Sequence, residues 1–569
     1  MKKFIFLIFL FACTFNLKAQ DYNPNRYRTS IFPDVLSLTD VLYGEAPQWV
    51  FPYWDVDLLM DIYLPDGDLN PKRPLIIFAH SGGFLIGSKD VDNMVAICDS
   101  FSQKGYVTAS IEYRSGFDPL DYESAERAVY RAVQDGKAAV RYFKENAVLY
   151  DIDTNYIFFG GMSAGGFIAL NVAYMDKESE RPESTYGDDF LVNDLECLDC
   201  AGNDYPHTSK VRAILDFWGG VDDTTIIEPG DIPMLIMHGE NDETVPFDVG
   251  PPFGLFTLPD IYGAKPISER AANIGITYEL FTSEGPLHML DGSDNGTFVD
   301  PPNSFWSDTL LPETTRFLYE LMKPTTVQLS LVNQTICFDE TITFLVSDSA
   351  TSYYSWDFDE SSIEEVLNDN TGELTLKFTT AGTYVITVVE FNEILCAGDT
   401  LTFNVIVEEE VNADFAYMID ALNAVNFTNE STGATSYEWN FGDGGASDEF
   451  SPMHTYLENG VYGVTLISTS DLGCSDTLIT TVTIEGLGQN EIITNASIVY
   501  PNPFVDELSI KSIGSSSYVS IMNLHGELIY ENQFSGLVEI STAYWPSGIY
   551  LLQLIQEDGA IANQKLIKL

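Results

Sequence analysis

Two hydrophobic rhythms divide this chain. From about Val56 to Lys323, short apolar runs alternate with stretches of helical spacing, whereas after Pro324 the residues Thr, Val, Ile, Tyr and Phe alternate with polar ones at a period of two. The first rhythm predicts strands at Leu58 to Leu64, Leu75 to His80, Val107 to Tyr113, Tyr156 to Phe159, Val211 to Phe217, Met234 to His238 and Ile276 to Phe281. Between the third and fourth, Ala125, Ala128, Val129, Ala132, Val133, Ala139, Val140 and Phe143 recur at helical spacing and predict an amphipathic helix that covers the sheet. Strands alternating with helices make this part an α/β domain with a mostly parallel sheet. The second rhythm, broken by Gly and Asn-Gly turns, predicts all-β sandwich modules.

The β region repeats itself. "TSYYSWDF" (Thr351 to Phe358) recurs as "TSYEWNF" (Thr435 to Phe441), and "GTYVITVV" from Gly382 recurs as "GVYGVTLI" from Gly460. Both copies resemble polycystic kidney disease (PKD) type domains, the second through "WNFGDG" and "PMHTY" and the first through the shorter "WDFDE". Asp443 and Asp448 are turn residues first, with calcium as the other reading. Cys396 and Cys474 hold equivalent places in the two copies, but the second copy has no match for Cys337. A Cys337 to Cys396 bridge is therefore the economical pairing, leaving Cys474 over. The last stretch opens "YPNPFVDELSI" (Tyr500 to Ile510) and closes "QKLIKL". It resembles the C-terminal sorting domain of the type IX secretion system of Bacteroidota, which implies delivery across the outer membrane by that machinery. In the family this tail is commonly removed or exchanged for a surface anchor.

The 569 residues carry 27 Lys and Arg against 85 Asp and Glu, a formal net charge of −58. Such a surface repels nucleic acid and anionic membranes. Met1-Lys2-Lys3, the apolar run Phe4 to Phe15 and Leu17-Lys18-Ala19 have the order of a secretory signal peptide. A lipoprotein alternative would use Leu10-Phe11-Ala12-Cys13, against which stand the bulky Phe11 and the apolar run past the cysteine. No later segment is apolar enough to cross a bilayer as a helix. The expected division is a signal peptide 1–19, a catalytic α/β domain 20–323, β-sandwiches 324–409 and 410–486, a linker 487–495 and a sorting domain 496–569, in a protein that is secreted or attached to the cell surface. Export permits disulfides among Cys98, Cys197, Cys200, Cys337, Cys396 and Cys474.

The candidate chemistry sits in "GGMSAGG" (Gly160 to Gly166), between a strand and a helix. There Gly161-Met162-Ser163-Ala164-Gly165 is a Gly-x-Ser-x-Gly turn, the nucleophile elbow that exposes a serine above a sheet. A serine hydroxyl needs a base, and a histidine base needs a carboxylate to fix its tautomer. Of six histidines, His454 and His525 belong to the β modules and His80 opens a glycine pair. His238 ends a strand in "PMLIMHGENDETVP", whose turn presents Asp242 at the sheet edge, with Glu240 and Glu243 as fallback acids. His288, in "SEGPLHML", lies just past the next strand and completes the order Ser163, Asp242, His288; His207, in an acidic insert, would break that order. "HSGGF" (His80 to Phe84) follows another strand and offers the backbone N–H groups of Gly82 and Gly83 which, with Ala164, would form an oxyanion hole.

On these residues, the stretch from about 40 to 323 resembles the secreted α/β-hydrolase esterases of the carboxylesterase and hormone-sensitive-lipase type. His80-Ser81-Gly82-Gly83 matches the family's His-Gly-Gly-Gly, with Ser81 departing from glycine. Ser163, Asp242 and His288 match its nucleophile, acid and base. The resemblance implies a serine carboxylesterase that needs no metal or organic cofactor, with feruloyl and acetyl-xylan esterases nearest in flavour; the expected partner is an ester substrate, and by analogy the appended modules suit one linked to a polysaccharide. A serine peptidase, or an adhesive glycan-binding protein with a silent hydrolase domain, remains the alternative. Two inserts, Asp176 to Lys210 and Phe247 to Gly275, are placed to set specificity, the first as a flap near the serine. Cys197, Cys200 and His207 also admit a zinc reading, although no fourth ligand is evident. Trp218 is a candidate pocket or core aromatic.

Overall fold

The structure, a computed structural model, describes residues 22–187, 192–285, 288–298, 301–324, 327–346, 352–368, 372–420, 423–485, 497–512, 516–557 and 561–569. The expected signal peptide and the expected linker lie outside the described residues. The chain divides into two compact units, Met1–Val407 and Glu408–Leu569.

In chain order, the α/β part of the first unit contains β1 (Val35–Pro47), β2 (Asp55–Pro65), β3 (Arg73–Ala79), α1 (Asp92–Ser102), β4 (Val107–Ile111), α2 (Tyr122–Glu145), β5 (Ile152–Met162), α3 (Ala164–Tyr174), β6 (Ala213–Phe217) and β7 (Met234–Gly239). A two-residue ribbon of β8 (Val249–Gly250) and β9 (Ile261–Tyr262) follows, then α4 (Ala264–Ile274), β10 (Tyr278–Ser283) and α5 (Leu311–Met322). Eight strands form one sheet in the order β1-β2-β4-β3-β5-β6-β7-β10. Pairing is antiparallel from β1 through β2 to β4 and parallel from β4 onward. This is the α/β-hydrolase architecture. Along β3, Leu75, Ile77 and Ala79 enter the core beneath α2, α3 and α4, while Ile76 and Phe78 enter the core beneath α1 and α5. The two-residue period of a strand thus feeds both faces, and β3 reads as continuously apolar because both are covered. The long helix α2 starts where the Asp121 side chain accepts from Glu123 N at 3.1 Å, a capping contact that satisfies an otherwise unpaired donor.

The thirteen-residue β1 was not among the strands expected. Register shifts between Leu38 and Val41 and between Leu42 and Gly44 break its alternation, because each bulge moves the following side chains to the other face.

The rest of the first unit is a β-sandwich. Gln334–Ile336, Leu401–Val407, Gly382–Phe391 and Tyr353–Asp357 form one sheet; Thr341–Leu345, Glu373–Phe378 and Ile363–Asn368 form the other. The second unit begins with an equivalent sandwich of four and three strands, and Trp356 and Trp439 occupy matching buried places in the two repeats, opposite Val388 and Leu466. A further sandwich of three and four strands, around Phe504, Leu508, Ile510 and Leu552, closes the chain.

The first sandwich is fastened to the α/β domain by one turn. Tyr27 Oη donates to Ile394 O (2.6 Å), Asn70 Nδ2 to the same oxygen (3.0 Å), Tyr319 Oη to Ala397 O (2.7 Å) and Asn392 Nδ2 to Met322 O (2.7 Å). These bonds draw Cys396 into the core beneath α1 and α5, where it is a free, fully buried thiol. The Cys337 to Cys396 bridge expected from the sequence is therefore not formed, since Cys396 points into the hydrolase core while Cys337 is only half-buried. Cys474, left over in that scheme, is disulfide-bonded rather than free.

Candidate active site

Ser163 stands between the end of β5 and the start of α3 with φ 55° and ψ −113°, a strained conformation for a residue with a side chain. The turn is held shut from both sides. Ser163 N donates to Phe217 O at the end of β6 (2.8 Å), and its carbonyl accepts from Gly166 N and Phe167 N as α3 begins. A Cβ on Gly161 would lie 2.2 Å from Gly165 O, and one on Gly165 would lie 2.0 Å from Ala79 O. Those approaches explain the two glycines flanking the serine.

Asp242 follows β7 and His288 follows β10, so all three candidates stand at the C-terminal edge of neighbouring parallel strands. His288 Nδ1 is 2.6 Å from Asp242 Oδ2, and His288 Nε2 is 2.7 Å from Ser163 Oγ. A carboxylate can only accept, so Nδ1 carries the ring proton and Nε2 accepts from the serine hydroxyl. The other carboxylate oxygen, Oδ1, accepts from Thr244 N (2.8 Å) and Val245 N (3.0 Å), which fixes the rotamer. Burial alone would raise this carboxyl's pKa, but hydrogen bonds from His238 and His288 outweigh it and hold the group at about 2. His238, completely buried, donates through Nε2 to Val245 O at 3.0 Å and sits 3.5 Å from Asp242 Oδ2. The sequence pointed to His238 only as the end of a strand; its support of Asp242 follows from a turn that brings residues 238 and 245 back together. Glu240 is engaged elsewhere, accepting from Thr282 Oγ1 at 2.8 Å, and His207 pairs with Glu145 on the surface. The zinc alternative loses its sulfur ligands, because Cys197 and Cys200 are joined in a disulfide.

The loop after β3 lies opposite. Gly82 has φ 126°, and a Cβ there would meet Ile86 O at 1.9 Å, so only glycine fits. The backbone N–H groups of Gly82, Gly83 and Ala164 donate to no acceptor among the described residues. His80 anchors this loop: Nδ1 donates to Ser81 O (2.6 Å), the ring stacks on Tyr113 with centroids 4.2 Å apart, and Tyr113 Oη donates to His80 O (3.0 Å). Burial keeps His80 neutral, with its pKa lowered to about 4 against the opposing influence of the Ser81 carbonyl. Ser81 Oγ is buried without a hydrogen-bond partner among the described residues.

A largely apolar pocket of roughly 850 Å³, part of it open to solvent, begins at Ser163, Gly83 and Ala164. Phe84, Phe117, Phe167 and Phe253 supply aromatic walls. Phe253 belongs to the second insert, which the sequence places to set specificity, whereas Phe84, Phe117 and Phe167 come from separate segments and carry no such mark. Trp218 is not among the lining residues and lies in the core with Phe217. Both inserts reach the pocket, through Pro182 and through Pro252, Phe253 and Leu258. The described residues of the first are tied to α2. Along one face of α2, Arg127 donates to Ser184 O and Asn193 O, Gln134 to Cys197 O and Arg141 to Ala201 O, and the disulfide closes the turn they hold.

Residues 60–227 match the BD-FAE family, residues 408–484 the PKD domain and residues 498–569 the secretion system C-terminal sorting domain. Ser163 and the loop after β3 fall inside the first match; Asp242 and His288 fall outside it. The chain is 31% identical to gut esterase 1 of Caenorhabditis briggsae over 98 residues, 17% of each protein. It is 30% identical to phenmedipham hydrolase of Pseudarthrobacter oxydans over 118 residues, 20% of this chain and 23% of that one. The chain thus spans about a fifth of the length of these curated relatives. Among solved structures, Thermogutta terrifontis esterase 2 phosphoramylated by tabun aligns over 51% of this chain and 96% of its own, with TM-score 0.36 and 22% identity. A truncated form of a carbohydrate esterase from gut microbiota aligns over 50% and 96%, with TM-score 0.33 and 19% identity.

Proposed function

We propose that this chain is an exported serine carboxylesterase. The reading rests on one observation: a single imidazole lies 2.7 Å from Ser163 Oγ and 2.6 Å from Asp242. Ser163 attacks the ester carbonyl as His288 takes its proton, and Asp242 orients the ring and stabilises its charged form. Oxygen charge in the tetrahedral intermediate is met by the N–H groups of Gly82, Gly83 and Ala164. His288 then protonates the departing alkoxide, and water, deprotonated by the same histidine, releases the acyl group. Acyl or feruloyl groups on plant polysaccharides are the substrates that suit an aromatic pocket in a protein with appended β modules. The sorting-domain match supports delivery to the outside or the surface of the cell through the type IX machinery, with the divisions 20–323, 324–409, 410–486 and 496–569 as its working parts.

Replacing Ser163 by Ala removes the nucleophile and leaves the fold, so turnover of p-nitrophenyl acetate is expected to fall to the level of buffer. Undiminished turnover by Ser163→Ala rejects the proposal.

A further inference from the structure

One group lining the pocket has no task in ester cleavage. On α3, Ala164, Phe167 and Asn171 face the pocket in one row, the three- and four-residue spacing that aligns helical side chains. Asn171 lies about 12 Å along the helix from Ser163 at 1.5 Å per residue, less the backward lean of helical side chains. It is 1% exposed, and its Nδ2 donates to Phe167 O at 2.9 Å. Only the amide nitrogen can donate to a carbonyl, so this bond fixes which way the amide faces. Oδ1 is left buried with no hydrogen-bond partner among the described residues. Buried acceptors without donors are rare because they are destabilising. Glu126 and Asp222 line the same pocket; burial raises the pKa of both, and each accepts through its oxygens when ionised. The pocket therefore carries acceptors as well as aromatic walls.

We propose that Asn171, aided by Glu126, sets specificity by accepting a hydrogen bond from a hydroxyl at the far end of an acyl group of aromatic width. This inference rests on the esterase reading of Ser163 and goes further, because it states which end of the acyl group is read and by which residue.

The test compares methyl 4-hydroxycinnamate with methyl cinnamate, which differ by one hydroxyl, as a ratio of kcat/KM measured on the mature full-length protein. A ratio of roughly tenfold in favour of the phenol is expected, the size of one buried hydrogen bond. It should fall to near one in Asn171→Leu and decrease in Glu126→Ala. Both substrates meet the same enzyme sample, so a partly unfolded variant lowers both rates and leaves the ratio intact. The wild-type ratio needs no variant at all. A wild-type ratio near one, or an undiminished ratio in Asn171→Leu, overturns the inference. Hydrolysis of p-nitrophenyl acetate alongside an indifferent ratio overturns this inference alone, whereas failure to hydrolyse any of the three esters overturns the esterase reading and this one together.

Discussion

With Asp242 Oδ1 committed to Thr244 N and Val245 N, only Oδ2 is free to meet His288. Asp242→Asn can keep the turn through its amide oxygen while presenting an NH2 group to the ring, which favours the wrong tautomer. kcat on p-nitrophenyl acetate is expected to fall about 10⁴-fold, with a melting temperature close to that of the parent. His80 makes a prediction of a different kind. Its pKa is about 4 in the folded protein, against about 6.5 in an unfolded chain. Between those values the unfolded chain binds a proton that native His80 does not, so stability should rise with pH from about 4 to about 6.5 and level off above. The amplitude is about 3 kcal/mol, and denaturant melts of His80→Gln should lack that slope. Asp242 acts in a lower window: its contribution is complete above about pH 4 and is lost as pH falls toward 2. At this scale the sequence was readable where chemistry and chain order coincide, which is why Ser163, Asp242 and His288 could be named and are found within hydrogen-bond reach. His238 and Asn171 were not readable as partners, because a buried histidine and a helical asparagine carry no local mark of what they face.

Among the elements, the elbow between β5 and α3 tolerates least. A methyl group on Gly161 would collide with backbone at 2.2 Å, and no side-chain rotation relieves a backbone clash. Gly161→Ala is expected to destabilise by more than about 3 kcal/mol, seen as a lowered melting temperature or loss of soluble protein; a parent-like melt would mean that the turn is looser than described. Strands β3 and β7 were legible because burial on both faces makes their centres runs of apolar residues, whereas β1 hides behind two bulges that scramble its period. The composition of the acidic insert shows a loop but not what holds it. What fixes it is a row of Arg127, Gln134 and Arg141 on α2, whose donors reach carbonyls that any sequence would possess.

Across the whole chain, the change of texture at Pro324 marks where one architecture ends, but it does not reveal that the next is clamped to it. The turn from Asn392 to Ala397 is too short to stand out, and the cysteine in it invited a disulfide by comparison of the two repeats. In the folded unit that thiol is buried, and burial pushes its pKa well up. A chain ending at residue 324 is therefore expected to melt lower and aggregate more readily than one ending at 407, because it exposes the core contacts of Ile394 and Cys396 and leaves Tyr27 and Tyr319 without their acceptors. Equal melting temperatures for the two would show that the sandwich is merely attached. In the proposed reaction one hydroxyl is made reactive by one imidazole, and covalent capture tests that most directly. Treated with a fluorophosphonate, the mature protein should gain a single adduct, located by peptide mass spectrometry at Ser163 and absent after His288→Ala. Labelling at another residue, or equal labelling of Ser163 without His288, would contradict it.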